Sequence, residues 1–377
     1  HVWFGKEDPT LWDGCLKRCD EFFQDNAANG NYYALVQPET QDEAGYRKAF
    51  RRGYRYRNDA THHEKIFDAH PTTTMSDGGW GWGWRGFCLD CYRQGGAVPT
   101  NELVECFGMS DGRNFPYADI YGPGKNPDGI DIFADRDPRL YETVMVPRKS
   151  LPAGLDYQGQ SFIDSWEGGF LTDAAFSNAE DKASGYFKFK WLLDYGGSNL
   201  RMDDEYIGVP YIRMAEMYLI RAEALAELGR TNEAIAEVNV VRARVGLGDL
   251  KAKNPQLNLN DKDVLIDEIL RERNCEIGAE CGDRVYDMIR RMRQDLFTKP
   301  LHEIRIYRLD ADGKRMENGG RYKEGEPWPS FEYEKPEISV GHRRWWDPGY
   351  WTNKWYLDPV SRIEVQKGYG LTQNPGW

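Results

Sequence analysis

Three tryptophans that alternate with glycine are the residues of this chain with the clearest potential chemistry. Trp80, Trp82 and Trp84 lie within the run from Asp77 to Gly86. The frequent glycines disfavour a helix, and alternation along an extended chain places the three rings on one side. Flat aromatic faces stack on the apolar face of a sugar ring. The run therefore predicts a ligand-binding loop, with Arg85 as a neighbouring hydrogen-bond donor.

A structural role is the alternative for these tryptophans, with one or two of the rings anchoring the loop in the core. Four further candidate ligand contacts are aromatic or amide side chains from the loop-rich middle of the chain. They are Tyr117, Tyr121, Asn126 and Trp166. Loops carried by a rigid scaffold are where binding residues concentrate. The predicted binding region is therefore this loop-rich middle.

Acidic and basic residues at helical spacing offer a second kind of chemistry. The set consists of Glu272, Arg273, Glu276, Glu280, Arg284, Asp287 and Arg290. Two of its carboxylates could serve as the general acid and base of a glycoside hydrolase. Because the acids lie among arginines and not in a loop-lined cleft, the pattern favours ion pairs that join helices. No catalytic residue is predicted.

Metal and cofactor sites have little support in the spacing. Asp119, Asp128, Asp131 and Asp135 do not follow the pattern of an EF-hand loop. Cys88 and Cys91 make half of a zinc-site spacing, but no second half follows. The seven cysteines cannot all pair within the chain, and they are predicted to be buried free thiols. We predict neither a metal nor a cofactor.

The overall composition narrows the class of partner. With a net charge of −12, the chain is a poor match for the phosphate backbone of nucleic acid, which needs a basic surface. Mean hydropathy is −0.74, and no apolar run approaches the roughly 20 residues that a membrane helix needs. The chain has 13 tryptophans and 22 tyrosines, which are more large aromatic residues than a polar chain usually carries. This surplus is compatible with ligand stacking as well as with a core.

Four differently patterned segments follow one another without a low-complexity linker, so residues 1–377 are predicted to form a single unit. Residues 1–70 are helical, 71–210 are a loop-rich ligand-side region, 211–297 are helices, and 298–377 wrap over those helices. The predicted fold class is mainly α. It is a tetratricopeptide-like helical scaffold with a large loop-rich, irregular portion and a few short strands.

The scaffold is clearest in a helical hairpin over residues 211–246. Its first helix is predicted over 211–228, with an apolar stripe that begins at Ile212, and it ends at Gly229. Thr231 is the predicted cap of the second helix. Further predicted elements are helices near 264–279 and 284–297 and strands over 142–147 and 303–309. A single hairpin cannot bury its own apolar face, so other layers must cover it.

Five blocks of sequence, in order, carry a family resemblance. They are Pro99-Thr-Asn-Glu-Leu-Val-Glu-Cys-Phe-Gly-Met-Ser-Asp-Gly112, Arg136-Asp-Pro-Arg-Leu-Tyr141, the hairpin with Ala215-Glu-Met-Tyr-Leu-Ile-Arg-Ala-Glu-Ala224 and Asn239-x-x-Arg-x-Arg244, the stretch from Glu272 to Arg290, and Gly368-Tyr-Gly-Leu-Thr-Gln-Asn-Pro-Gly-Trp377. Together they resemble the SusD/RagB nutrient-binding lipoproteins of the Bacteroidetes outer membrane. One departure is the spacing from Glu280 to Arg284, which is one residue longer than usual, with Cys281 as the extra residue.

The resemblance implies a surface-exposed lipoprotein of the cell outer membrane. Such a protein captures an oligosaccharide without altering it and passes it to a partner TonB-dependent, SusC-like transporter, over which it sits as a lid. The resemblance also implies an N-terminal part with a lipid-modified cysteine that residues 1–377 lack, and membrane attachment is expected to depend on that missing anchor. Trp345, Trp346 and Trp351 are expected to be structural or to face the transporter.

Three other functions stay open at the level of sequence. Some members of this family handle peptides, so a peptide-binding uptake protein is one alternative. A tetratricopeptide-type scaffold for a protein partner is a second, and it predicts a helical groove as the main concave surface. A glycoside hydrolase is a third, and it requires two carboxylates about 5–9 Å apart beside a pocket.

Overall fold

A computed structural model of the chain describes residues 8–56, 58–69, 99–150, 162–169, 172, 185–190, 209–280, 283–338 and 348–377. Helices dominate this part of the chain. They are α1 (Pro9–Ala28), α2 (Glu43–Tyr54), α3 (Asn101–Cys106), α4 (Leu140–Thr143), α5 (Met214–Glu227), α6 (Thr231–Arg244), α7 (Leu250–Lys253), α8 (Lys262–Ile277), α9 (Asp283–Arg290), α10 (Gln294–Thr298) and α11 (Arg362–Gln366), with short 3-10 helices at Pro348–Tyr350 and Asn353–Tyr356. The predicted fold class, mainly α, is confirmed.

The antiparallel hairpin of α5 and α6 forms the centre of the first core, and α1 and α8 pack against it. Small side chains lie at this contact, because Ala215, Ala222 and Ala234 are all fully buried. Small residues let the helix backbones approach closely, so the hairpin is tight. Gly229 follows α5 in the left-handed conformation (φ 74°), which glycine adopts without steric cost. The predicted hairpin is thereby confirmed in outline.

The start of this hairpin differs from the prediction. The segment from Tyr211 to Arg213 is the end of a strand, and α5 begins only at Met214. Ile212 is therefore exposed on a strand and does not belong to a buried helical stripe. Pairing with a distant strand overrides the helical pattern here, which local sequence cannot reveal. Thr231 is the first residue of α6, and Arg230 occupies the cap position.

The predicted helix over 284–297 is divided in two. Helix α9 ends at Arg290, and α10 begins at Gln294. Met292 lies between them in the left-handed region (φ 50°), which breaks the helical hydrogen-bond ladder. Arg293 then pairs with Asp267 and Asp295, so side-chain contacts fix the break. An uninterrupted apolar pattern did not reveal this break.

Three small antiparallel sheets account for the strands in the described residues. The strands are β1 (Lys65–Ala69), β2 (Val144–Met145), β3 (Phe187–Lys188), β4 (Val209–Arg213), β5 (Arg305–Arg308) and β6 (Phe331–Glu334). Strand β1 pairs with β4, β2 with β3, and β5 with β6. The strand predicted over 142–147 is shorter, because residues 140–143 form the helical turn α4.

A second core, rich in aromatic residues, lies under the loop-rich side of the molecule. It brings together residues from 104–146, Tyr186, Cys275 of α8 and the β5–β6 hairpin, including the fully buried Phe133, Trp166 and Tyr333. The chain end packs elsewhere. The ring of Trp351 stacks on Phe297 of α10 at 4.1 Å, so Trp351 has the structural role, one of the two that were expected for it.

Candidate functional site

A buried ion-pair network holds the loop-rich side against the helical scaffold. Glu276 of α8 lies at its centre and pairs with Arg213 of β4, with Arg244 of α6 and with Arg139, which precedes α4. All four side chains are at most 1% exposed. Burial disfavours the ionised form of Glu276, but Arg244 and Arg213 outweigh it and hold its pKa well below the ordinary value. The network therefore ties the loop-rich side, through Arg139, to helices α6 and α8.

The ion-pair interpretation of the acidic and basic helix residues is confirmed by their partners. Glu272 pairs with Arg139 and Arg242, Glu280 with Arg213 and Lys190, Arg273 with Asp287, and Arg290 with Asp287 and Glu223. Arg284 instead donates to the carbonyl of Leu270 at 3.5 Å. Glu272 and Glu276 are completely buried, so a substrate on the surface does not reach them.

The predicted ligand contacts have four different outcomes. Trp80, Trp82, Trp84 and Arg85 lie outside the described residues, and so do Trp345 and Trp346. Tyr117 is partly exposed beside the second core, with its ring edge-on to Phe115 at 5.5 Å. It is therefore available to a ligand.

Asn126 and Trp166 have structural roles, which corrects their assignment as ligand contacts. The amide nitrogen of Asn126 donates to the carbonyls of Ile130 and Phe331, and its oxygen accepts from the Ile130 amide at 2.8 Å. Trp166 is fully buried, and its indole nitrogen donates to the carbonyl of Gly320 at 2.8 Å. Sequence placed both in loops but could not show that these loops fold inward.

Tyr121 belongs to a half-buried polar cluster, which we term the Glu105 cluster. Its members are Asn101, Glu102 and Glu105 of α3 together with Tyr121, His302 and Lys335. Lys335 Nζ lies 2.7 Å from Glu105 Oε2 and 5.4 Å from the centre of the Tyr121 ring. Burial, and then the Glu105 carboxylate, raise the pKa of Tyr121. Tyr121 therefore stays a neutral phenol at physiological pH.

A second group of side chains, which we term the Trp328 cluster, has the form expected of a stacking site. Its rings are those of Phe162, Trp166, Tyr322, Trp328 and Phe331. Trp166 and Phe331 lie buried at its base, whereas Phe162, Tyr322 and Trp328 are partly exposed. Ring centres are 5.1 Å apart in both the Phe162–Tyr322 and the Tyr322–Trp328 pairs. The buried rings hold the exposed ones in place.

Charged groups lie directly beside the exposed rings of this cluster. Asp131 Oδ2 accepts from the indole nitrogen of Trp328 at 3.1 Å and from Arg148 Nε at 2.9 Å. The guanidinium carbon of Arg148 lies 5.2 Å from the centre of the Trp328 ring. The Arg148 side chain remains 43% exposed. A planar cation, a carboxylate and aromatic rings thus meet at one place on the surface.

The backbone at Arg148 is unusual, because its φ of 80° lies in the left-handed region that favours glycine. A residue with a Cβ pays about 1–2 kcal/mol for this conformation. Strained residues of this kind cluster at functional sites, so the observation points toward function. We therefore include Arg148 in the candidate site.

The stretch from Tyr121 to Asp131 links the two clusters along one face. The Gly122 amide donates to the Tyr333 carbonyl at 2.7 Å, and the Gly124 amide donates to Glu332 Oε2 at 2.8 Å. The stretch therefore runs beside β6, with Trp328 before this strand and Lys335 after it. The Trp328 cluster and the Glu105 cluster thus lie at the two ends of β6 (Phe331–Glu334).

Tyr322, Trp328 and Arg148 were not among the residues predicted from the sequence. The one available signal was Trp328 between Pro327 and Pro329, since a tryptophan between two prolines cannot lie in a helix. Asp131 was considered only as a calcium ligand, and it pairs instead with Arg148. Within the described part of the chain, no three His, Cys, Asp or Glu side chains gather as a metal would require.

Comparison with known proteins identifies the family. The model of the SusD family matches residues 37–377. The chain belongs to the SusD family. A SusD-like protein, P38, of Formosa agariphila is 44% identical over 80 residues, which are 21% of this chain and 16% of that protein. The family resemblance found in the sequence is thereby confirmed.

Solved structures agree on the SusD fold. A SusD-like protein of Bacteroides fragilis superposes with a TM-score of 0.62 at 24% identity, covering 97% of this chain and 62% of that one. A structure named BT4246 gives a TM-score of 0.69 at 18% identity, covering 99% and 65%. This chain thus spans less than two thirds of the length of either structure. None of the helices in its described segments has both the length and the apolar character needed to cross a bilayer.

Proposed function

We propose that this SusD-family chain captures an oligosaccharide at the cell surface and binds it without catalysis, for import through a TonB-dependent outer-membrane transporter. The observation that carries the ligand class is the Trp328 cluster, where partly exposed rings adjoin Asp131 and Arg148. A sugar presents an apolar face to a ring and hydroxyls to planar polar groups. The site offers both kinds of contact on a rigid base.

The ligand face extends, in this proposal, from the Trp328 cluster toward the Glu105 cluster. Tyr117 and Tyr121 contribute from the adjoining stretch, and Trp80, Trp82, Trp84 and Arg85 contribute further contacts. Each contact provides about 1 kcal/mol net, so several must act together. Affinity for a soluble glycan is accordingly modest, and the transporter complex adds to retention.

Calorimetry and a glycan array with the soluble protein test the ligand class. Trp328→Ala is expected to weaken binding roughly tenfold, because the loss of one stacking contact costs about 1–1.5 kcal/mol. Trp355→Ala is the matched control, since Trp355 is also partly exposed but lies in the C-terminal part of the chain. Equal affinities of the two variants would contradict the assignment of the site. Trp82→Ala and Trp84→Ala test the predicted contacts of the glycine-rich run from Asp77 to Gly86 in the same assay.

Product analysis distinguishes the remaining functions. Prolonged incubation with a bound oligosaccharide should leave its length unchanged, and released shorter sugars would establish a hydrolase. Binding of peptides with no glycan bound on the array would favour the peptide-uptake alternative. Binding of neither, with capture of one folded protein through the α5–α6 surface, would favour the scaffold alternative. Co-expression with a SusC-like transporter, followed by co-purification from outer membranes, tests the partnership.

A further inference from the structure

Two cysteines that are far apart in sequence meet where α3 contacts α8. The Cys275 thiol donates to the carbonyl oxygen of Cys106 at 3.2 Å. On the other side, the amide of Asn274 donates to the Cys106 sulfur at 3.4 Å. Both sulfurs therefore lie in the same narrow contact between the two helices. The loop-rich side approaches the scaffold directly at this point.

The two thiols have different surroundings. Cys275 is completely buried, and burial raises the pKa of its thiol well above the ordinary value. The guanidinium of Arg271 acts in the opposite direction, with Nη1 4.0 Å from the Cys275 sulfur and 2.8 Å from the Cys106 carbonyl oxygen. Cys106 is partly exposed. An external reagent therefore meets Cys106 first.

We propose that Cys106 and Cys275 are a modification site, at which exchange with an external disulfide joins α3 to α8 through a reversible disulfide. The Cys106 thiolate attacks one sulfur of the external disulfide and releases one thiolate from it. The Cys275 thiol then gives its proton to the first released thiolate as its sulfur attacks the Cys106 sulfur and releases the second thiolate. The two protons lost by the cysteines end on the two released thiols. The protein thiols are oxidised by two electrons, and the external disulfide is reduced by two.

Among the described cysteines, Cys106 and Cys275 are the pair that joins two different helices, because the Cys275 thiol donates to the backbone carbonyl of Cys106 itself. Cys15 and Cys19 also lie close together, and a hydrogen bond from Cys19 lowers the pKa of Cys15 to about 7. They are four residues apart on α1, where the side-chain spacing of a helix is too wide for an unstrained disulfide. They serve as an internal control.

Such a link would act on the ligand face as well as on stability. The cysteines are 169 residues apart, so the disulfide closes a long loop and restricts the unfolded chain strongly. Helix α3 carries Asn101, Glu102 and Glu105, so the link would also anchor the Glu105 cluster to the scaffold. The pairing follows from the packing alone and does not depend on which ligand binds.

Peptide mapping tests the proposal on the intact chain. The protein is equilibrated with oxidised and reduced glutathione or with dithiothreitol, quenched with acid, digested without reduction and analysed by mass spectrometry. We expect a linked Cys106–Cys275 peptide in the oxidised sample and a melting temperature several degrees above the reduced one. Cys106→Ser should abolish the linked peptide and the shift, whereas Cys19→Ser should leave both.

Three outcomes would overturn the proposal: glutathione that remains on Cys106 without resolution, a linked peptide that joins Cys106 or Cys275 to a different cysteine, and a lower melting temperature in the linked form. The comparison of oxidised with reduced wild-type protein requires no variant, so poor folding of a substituted chain does not prevent a decision. The readout is a mass and a melting temperature. Failure here would leave the glycan-binding proposal intact, and the reverse also holds.

Discussion

Substitution of Glu276 by glutamine should show how strongly the buried network supports this fold. The change preserves the shape of the side chain but removes the negative charge that faces Arg139, Arg213 and Arg244. Removing one partner of a buried ion pair typically costs 3–5 kcal/mol, because the remaining charge is left poorly compensated. Glu64, which also pairs with Arg213 and Arg244, keeps the loss within this range.

The expected change in melting temperature follows from chain length. An unfolding entropy of about 2.1 cal/mol/K per residue gives roughly 0.8 kcal/mol/K for 377 residues. A loss of about 3–5 kcal/mol therefore lowers the melting temperature by about 4–6 °C. Differential scanning calorimetry at pH 7 measures this shift. The loop-rich side and the scaffold should still unfold in one transition if the network joins them.

The control is Glu233→Gln, which removes a carboxylate from an exposed pair with Arg230. Exposed pairs contribute little, so this variant should melt at the wild-type temperature. The reasoning fails if Glu276→Gln and Glu233→Gln melt together. It also fails if Glu276→Gln stabilises the protein, because the buried charges would then destabilise the folded state.

Three further predictions concern single residues. Arg148→Gly relieves the left-handed backbone strain of about 1–2 kcal/mol, so its melting temperature should equal or exceed that of Arg148→Ala. Both variants lack the guanidinium and should bind glycan about fivefold more weakly than the wild type. Undiminished affinity would exclude Arg148 from the site. Burial opposes ionisation of Glu223, but Arg290 outweighs it and lowers the pKa of this carboxyl to about 2. Its contribution of about 3 kcal/mol to the free energy of unfolding is therefore complete above pH 4.5 and is lost as the pH falls toward 2. Urea titrations between these pH values should show a smaller pH dependence of stability in Glu223→Gln than in the wild type. Burial lowers the pKa of Lys65 from 10.5 to about 7, so between these pH values the unfolded chain binds one more proton than the folded chain, and stability rises with pH. Lys65→Met should flatten this rise. An unchanged slope of stability against pH would show that Lys65 is not responsible for it.

The helical part of the fold could be predicted because its information is local. Apolar spacing and strong helix formers predicted the α5–α6 hairpin and α8, and capping glycines marked the helix ends. Composition argued against nucleic acid as a partner, and the five sequence blocks were sufficient to indicate the family. Aromatic content pointed to a stacking surface without indicating which rings supply it.

Long-range contacts decided the remainder. Tyr211 to Arg213 became a strand because β1 lies beside it, and Asn126 and Trp166 turned inward because Ile130, Phe331 and Gly320 offered backbone carbonyls. No spacing in the sequence relates Arg148 to Trp328, since 180 residues separate them and only the second core brings them together. Local sequence was thus sufficient for most of the helices and for the family, but not for the helix boundaries at Met214 and Gln294. Tertiary structure alone decided which aromatic and charged groups share a surface, because burial and non-local pairing are properties of the packed chain.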